Sequence, residues 1–349
     1  MKIGILTFGK AINYGGALQA AALQKVLRDL DQDVCLVDHR CPMIDDTSKV
    51  FDIKRISDIK YTLAHVFNLA EAIHRKHKFK AFWNQWFTFG VDNPAEYDLM
   101  IAGSDQVWNY RLTGNDLSYY LNFKKANTAK ISYAASIGLS EFDPTTKKEI
   151  APLLKDFDYL SVREKTAAAL VNDICGREAT VVLDPTLLLN RQQWREMADP
   201  EFRHRGYIFV YTVFNSDSLW EFAYELSRKT GLPIRTISYS KLHRKNAEYT
   251  FDAGPAQWLS HMLNANYVVT NSFHGFAFSV NFEKQFYYEL PPHSSGVGSR
   301  LSDMAQIYGL TGRELKHKDE TVIDYAPVRE KLEVDREGSM EFIRSFLNK

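Results

Sequence analysis

The stretch Tyr267-Val-Val-Thr-Asn-Ser-Phe-His-Gly-Phe-Ala-Phe278 carries the strongest chemical signal in this 349-residue chain. Tyr267 to Val269 read as the end of a buried strand, and Thr270, Asn271 and Ser272 suit a turn that caps a helix. His274 and Gly275 then open an apolar run. A strand that turns into a helix gathers backbone N–H groups and a partial positive charge at one spot, which suits an anion. An imidazole there can move a proton near neutral pH, or can simply pack and cap. A second polar turn, Gly103-Ser-Asp-Gln106, follows the strand Leu99 to Ala102. Ser104, Asp105 and Gln106 offer a hydroxyl, a carboxylate and an amide, and Trp108 offers a flat face for a sugar ring. Asp105 reads equally as a base and as a helix cap. Arg163 lies just past its own strand, placed either to hold a phosphate or to pair with Glu164 or another acid. Arg300 follows the glycine-bearing loop His293–Ser299.

The elements that must position these groups alternate in type. Lys2 to Phe8 is a strand, and Gly9–Gly16 is a loop whose Gly15 and Gly16 let the backbone approach a ligand closely. Ala17 to Leu30 follows as a helix with one apolar face, Leu18, Leu23, Ala22, Val26, Leu27 and Leu30. Asp33 to Asp38 completes a βαβ unit, although the loop is not a GxGxxG. Strands at 99–102, 130–138, 157–164 and 180–184 continue the pattern, which argues for a mostly parallel, doubly wound sheet. Residues 186–206 are charge-rich and poor in strand character, and read as a linker. The pattern restarts at Gly206. The expected organisation is therefore α/β, with one Rossmann-like domain over residues 1–190 and a second over 200–325. The stripe Met340, Ile343, Phe346 and Leu347 marks a terminal helix, within 326–349, that packs back on the first domain.

Lys+Arg and Asp+Glu both number 43, so no global field would recruit nucleic acid. Cys35, Cys41 and Cys175 are odd in number and lack a CxxC pair, which favours reduced thiols in the cytoplasm over a disulfide framework or a zinc site. Neither a signal-peptide core nor a membrane-spanning run is expected. The stretch Ile73–Phe87 is basic and aromatic together. It reads as a solvated helix with its aromatics in the core, or as a surface where Arg75, Lys76, Lys78 and Lys80 meet an anionic membrane. His74 and His77 are spaced as a ligand pair but lack a third ligand, so no metal is expected.

Taken together, these segments resemble the polysaccharide pyruvyl transferase family. The resemblance is carried in order by Asn13-Tyr-Gly-Gly-Ala-Leu-Gln19, Gly103-Ser-Asp-Gln-Val-Trp-Asn109, Tyr133-Ala-Ala-Ser-Ile-Gly138, Ser161-Val-Arg-Glu164, Val182-Leu-Asp-Pro185, Thr270-Asn-Ser-Phe-His-Gly275 and Ser299-Arg300. It implies a GT-B-like fold, two Rossmann-like domains facing across a cleft that holds the site. It further implies transfer of the pyruvyl group of phosphoenolpyruvate to two sugar hydroxyls as a ketal, in exopolysaccharide or capsule biosynthesis. On that reading His274 is the general acid and Asp105 the acceptor-side base. Asn13, Gly15, Gly16, Ser104, Gln106, Trp108, Ser136, Arg163, Asn271, Ser272, Gly275 and Arg300 line the substrates. The donor is a substrate and no cofactor is required. The acceptor would be a lipid-linked oligosaccharide, reached by a cytoplasmic protein at the inner membrane face. Two rivals stand beside it: a GT-B glycosyltransferase using a nucleotide sugar, and a non-catalytic binding subunit of a polysaccharide-assembly complex.

Overall fold

A computed structural model describes residues 1–45, 68–123, 127–239, 244–291 and 298–348. The loop expected at His293–Ser299 and the irregular stretch after Cys41 lie largely outside them. Strands β1 (Lys2–Leu6), β2 (Asp33–Val37), β3 (Phe89–Gly90), β4 (Leu99–Ala102) and β5 (Ala129–Ser132) form a parallel sheet in the order β3-β2-β1-β4-β5. The pair β6 (Ser161–Val162) and β7 (Thr180–Val181) prolongs it through bridges from Ile131 to Tyr159 and from Ala135 to Val162. A second parallel sheet holds β8 (Ile208–Tyr211), β9 (Ile234–Ile237), β10 (Glu248–Thr250), β11 (Tyr267–Thr270) and β12 (Gln285–Tyr288), in the order β10-β9-β8-β11-β12.

The two sheets thus repeat one Rossmann-like order, in a GT-B-like α/β architecture. In each, the winding reverses between the first and fourth strands, β1 and β4 or β8 and β11. Ligands of open parallel sheets sit beyond the carboxyl ends of such a pair. The chain leaves those ends through Gly9–Gly16, Gly103–Gln106 and Asn271–His274.

The longer helices are α1 (Tyr14–Arg28), α2 (Leu69–Trp86), α3 (Pro144–Lys155), α4 (Lys165–Cys175), α5 (Asp217–Thr230), α6 (Pro255–Asn264), α7 (Phe273–Asn281), α8 (Gly298–Ile307) and α9 (Ala326–Leu347). Where the sequence shows one apolar face on α1, the structure buries nearly the whole helix, Gln19 and Gln24 included. The reason is that α1 lies between its own sheet and the second unit. Tyr14 donates to the Ala253 carbonyl at 2.9 Å and stacks on Trp258, with ring centroids 6.1 Å apart. The buried Gln24 amide is satisfied by the Val34 and Thr88 carbonyls. One apolar cluster therefore runs from Ile3 and Ile5 through α1 to Trp258, Phe278 and Val268.

The basic, aromatic stretch becomes α2, with Phe79 and Phe82 in the core. Of its four cations, buried Arg75 donates to the Phe251 carbonyl at 3.0 Å, and partly exposed Lys78 pairs with Asp252 at 2.8 Å. Arg75 and Lys78 tie α2 to the segment after β10. Residues 185–206 form a packed connector, in which Trp194 is buried against Phe278 and donates to the Thr186 carbonyl. Helix α9 lies along Tyr133 and Tyr159 through Phe342 and Phe346, and Ser339 Oγ accepts from the Leu183 N–H. All three cysteines are buried, and no disulfide joins any two of them. No described helix is long and apolar enough to cross a membrane, and no group of three or more metal-ligating side chains occurs among the described residues.

Just after β2, His39 bridges Asp92 through Nδ1 at 2.8 Å and Asp116 through Nε2 at 2.7 Å. The hydrogen bond to Asp116, aided by that to Asp92 and opposed by burial, raises the imidazole from 6.5 to about 9. A raised value means the folded state holds the proton more tightly than the unfolded chain. The stabilisation is therefore complete below about pH 6.5 and lost as the pH rises through about 9. We expect His39→Asn to lower the thermal midpoint at pH 6 and to have little effect at pH 10. Equal losses at both would mean that packing, not charge, is the contribution.

Candidate active site at the junction of the two sheets

The turn after β11 is built to aim His274. Thr270 Oγ1 donates to the Tyr211 carbonyl at 2.6 Å and accepts from the Ser272 N–H at 3.1 Å. Asn271 accepts from the Val213 N–H at 2.8 Å and donates to the Phe214 carbonyl at 3.0 Å. Ser272 caps α7 by accepting from the Gly275 N–H at 3.3 Å. A Cβ on Gly275 would lie 2.2 Å from Thr270 Oγ1, so only glycine allows the strand to turn this tightly into the helix. Asn271, Ser272 and Gly275 thus spend their polar groups on shaping the turn that presents His274.

The first turn of α1 closes on the same imidazole from the other unit. Asn13 caps α1 by accepting from the Gly16 N–H at 3.0 Å. A Cβ at Gly15 would lie 2.1 Å from His274 Nδ1, and one at Gly16 would lie 3.5 Å from Asp105 Oδ2. Two helix N-termini, one from each unit, therefore meet at His274. We expect Gly15→Ala to displace the ring and cut turnover by roughly 10²-fold, the scale of an ångström-sized misplacement, with a smaller loss for Gly16→Ala. Wild-type turnover in Gly15→Ala would show that the ring need not sit where it does.

From the first sheet come Asp105, Arg163, Glu164 and Asp184. Asp105 adopts a left-handed backbone with φ of 75°, a conformation that costs an aspartate of the order of 1–3 kcal/mol and gathers at functional sites. Arg163 Nη1 donates to Asp184 Oδ2 at 2.7 Å, while its Nη2 stands 4.0 Å from Asp105 Oδ1 and its Nε 3.7 Å from Glu164 Oε2. Asp184 also accepts from Ser104 Oγ at 2.9 Å and from the Thr186 N–H and hydroxyl at 2.9 and 2.7 Å. His274 Nε2 lies 3.9 Å from Asp184 Oδ2. Glu164 accepts from Ser136 Oγ, at 2.9 Å, and from the N–H groups of Ile137 and Gly138. Arg300, in the first turn of α8, and Arg163 both lie over the ring of Phe273; their guanidinium carbons are 5.6 and 4.3 Å from the ring centroid.

The cluster is buried and incompletely satisfied. His274 Nε2, Arg163 Nε and Nη2, Arg300 Nε and Glu164 Oε2 have no hydrogen-bond partner among the described residues. Native interiors leave few polar atoms in that condition, and four nitrogens at one point indicate a group to be bound. The charges interact strongly. Burial favours a protonated Asp184, but Arg163 and then His274 hold its carboxyl down at about 2. Burial lowers the His274 imidazole from its ordinary value, with Asp184 and Asp105 pulling the other way. Burial, then Arg163, brings Arg300 down to about 10.

The structure corrects one sequence reading outright. Trp108 presents no face to a sugar: it is enclosed in a separate apolar cluster within the first unit, stacked on Tyr120 with centroids 5.5 Å apart, and donates to the Tyr119 carbonyl. Gln106 accepts from Asn109 Nδ2 and lies against Gly138, so it shapes the turn. Ser104 and Ser136 reach the site only through Asp184 and Glu164. Sequence reasoning missed Asp184, Glu164 and Phe273 as site members. An aspartate ending a strand before proline, in Leu183-Asp-Pro185, was the available signal for the first.

Comparison with known families decides the affiliation: the polysaccharide pyruvyl transferase model matches residues 13–288. The chain belongs to the polysaccharide pyruvyl transferase family. The match takes in every site residue above except Arg300, which lies beyond it and reaches the cluster over the Phe273 ring. Curated protein sequences gave no match. Among solved structures, the chain is similar to UDP-GlcNAc 2-epimerase from Neisseria meningitidis bound to UDP-GlcNAc, with 10% identity, TM-score 0.48, and 99% of this chain and 100% of that one covered. It is similar to the Streptomyces sp. SF2575 glycosyltransferase SsfS6 complexed with thymidine diphosphate, with 14% identity, TM-score 0.47, and all of both chains covered. Similarity to the E. coli heptosyltransferase WaaC with ADP reaches 12% identity and TM-score 0.41, over 96% of this chain and 99% of that one. At such identities and scores these likenesses say nothing of activity.

Proposed function

We propose that this transferase moves the pyruvyl group of phosphoenolpyruvate onto two hydroxyls of a sugar, forming a pyruvate ketal and releasing inorganic phosphate, in exopolysaccharide or capsule synthesis. The observation that carries the reading is that buried donors of Arg163 and Arg300, both over the Phe273 ring, and the neighbouring His274 Nε2 all lack hydrogen-bond partners among the described residues. A small donor bearing a phosphate and a carboxylate needs two cations, and its vinyl carbon needs a proton. Arg163 and Arg300 bind the anionic groups, and the His274 imidazolium delivers a proton to the methylene carbon. One sugar hydroxyl attacks the adjacent carbon and loses its proton to Asp105. The bond from that carbon to the phosphate oxygen then breaks, the second hydroxyl adds to the same carbon and gives its proton to the phosphate still held by the arginines, and the proton on Asp105 returns through solvent to His274. Proton transfer suffices for this scheme, so the residues are asked for no cofactor.

The acceptor we propose is a lipid-linked oligosaccharide, met by a cytoplasmic enzyme at the inner membrane face. With Arg75 buried and Lys78 paired with Asp252, such a contact would rest chiefly on Lys76, Lys80 and the lipid of the acceptor itself.

Isothermal titration tests the reading. Phosphoenolpyruvate should bind the wild-type chain, and nucleotide sugars should not. Arg300→Ala should raise KM and Kd for phosphoenolpyruvate roughly 10- to 100-fold, the loss of one charge-assisted contact, with a smaller change in turnover. Binding of a nucleotide sugar in preference would instead favour a glycosyltransferase. Tight phosphoenolpyruvate binding unchanged in Arg300→Ala would remove that residue from the donor site.

A further inference from the structure

The charge-rich connector has a feature that the transfer reaction does not use. A cavity of about 740 Å³ is lined by Arg191, Arg195, Arg203, Arg205, Ser260 and Asn264. It lies where the chain enters β8 and α6 ends, at the amino ends of the second sheet. His274 stands at the carboxyl ends. A four-residue strand rising about 3.3 Å per residue keeps the two places at least roughly 10 Å apart.

These four arginines have no carboxylate at ion-pairing distance among the described residues, whereas the arginines of nearby α9 do: Arg329 with Glu283, Arg336 with Glu333 and Arg344 with Glu337. Arg203 alone is partly occupied, by the Pro200 and Phe202 carbonyls. The cavity's own carboxylate, Asp199, is spent on the Glu201 N–H at 2.9 Å and on Gln257 Nε2 at 3.1 Å. Nor are the guanidiniums needed to finish α6, because buried Lys284 donates to the Leu263 and Ala265 carbonyls at 2.6 and 2.9 Å. Burial, then Arg191 and Arg195, lowers that ammonium to about 7, so the cationic field reaches into the interior.

Guanidinium forks match phosphate oxygens bidentately, and a concave space of several hundred cubic ångströms suits a discrete ligand better than a flat surface does. We propose that this cavity binds a phosphorylated small molecule of at least diphosphate size, at a site separate from the catalytic cluster. The proposal does not depend on the donor assigned above.

The test uses the full chain and inorganic pyrophosphate in isothermal titration. Arg191 and Arg195 are exposed, so Arg191→Gln/Arg195→Gln should fold normally. We expect pyrophosphate to bind the wild type, to bind the double variant at least about tenfold more weakly, and to bind Arg300→Ala with wild-type affinity at this site. Sedimentation with phosphatidylglycerol vesicles separates the other source of phosphate. The proposal is overturned if wild type does not bind pyrophosphate, or if the loss follows Arg300 and not the pair. It is also overturned if only vesicle binding depends on the pair, which would assign these arginines to lipid headgroups.

Discussion

His274→Ala is expected to cut turnover by roughly 10²–10⁴-fold, the usual contribution of a general acid, while phosphoenolpyruvate still binds to Arg163 and Arg300. A guanidinium holds the donor equally in the ground and transition states, but a proton donor acts chiefly in the transition state. The pH dependence follows from the site's electrostatics. Burial holds the free imidazole below its ordinary value. An acid must be protonated, so kcat/KM should fall as the pH rises through that lowered value, already below neutrality. Bringing an anion between Arg163 and Arg300 raises the imidazole's proton affinity, so kcat should persist to higher pH. His274→Gln fills much of the same space against Gly15 and separates chemistry from packing. Should folded His274→Ala or His274→Gln keep near-normal turnover, or retain the wild-type fall in kcat/KM, His274 is not the acid.

Asp184→Asn should have the largest effect on stability of any single change in the site. The carboxylate is 1% exposed and accepts from Arg163, Ser104 and Thr186, so its charge is compensated only within the protein. Neutralising it leaves Arg163 buried with carboxylates no nearer than 3.7 Å. Breaking a buried pair from one side costs about 3–5 kcal/mol. Because the folded carboxyl titrates at about 2 and the unfolded one near 3.8, this stabilisation is present above pH 3.8 and lost as the pH falls toward 2. We expect a lower thermal midpoint at pH 7, and partial recovery in Asp184→Asn/Arg163→Met, which removes the stranded cation. Turnover should fall as well, since Asp184 orients Arg163 beside His274. A midpoint equal to wild type at pH 7 would contradict the charge-pair account.

Part of the site, Asp105, Arg163 and His274, was legible in the sequence because strands and helices declare their ends locally. Polar turns at 103–106 and 271–274 follow runs of β-branched and apolar residues, and that pattern alone placed Asp105 and His274 at strand termini. It also placed Arg163 past a strand, but not its partner, since Asp184 reaches it through the parallel pairing of β6 and β7. Edge strands β3 and β10, of two and three residues, were not legible, being too short to show a period. Trp108 misled because a tryptophan beside a polar turn reads the same whether its ring faces outward or inward.

By itself the chain determined the α/β alternation, the restart at Gly206 and the nature of the groups at each strand end, all of which depend on neighbours within a few residues. Only the tertiary structure decided that Gly15 of α1 would touch His274 of α7, and that Arg163 and Arg300 would share Phe273. Gly15 and His274, like Arg163 and Phe273, are more than a hundred positions apart. Those contacts depend on how two sheets pack through one continuous core, and the energy of that packing is spread over many apolar side chains, none of which names its partner in the sequence.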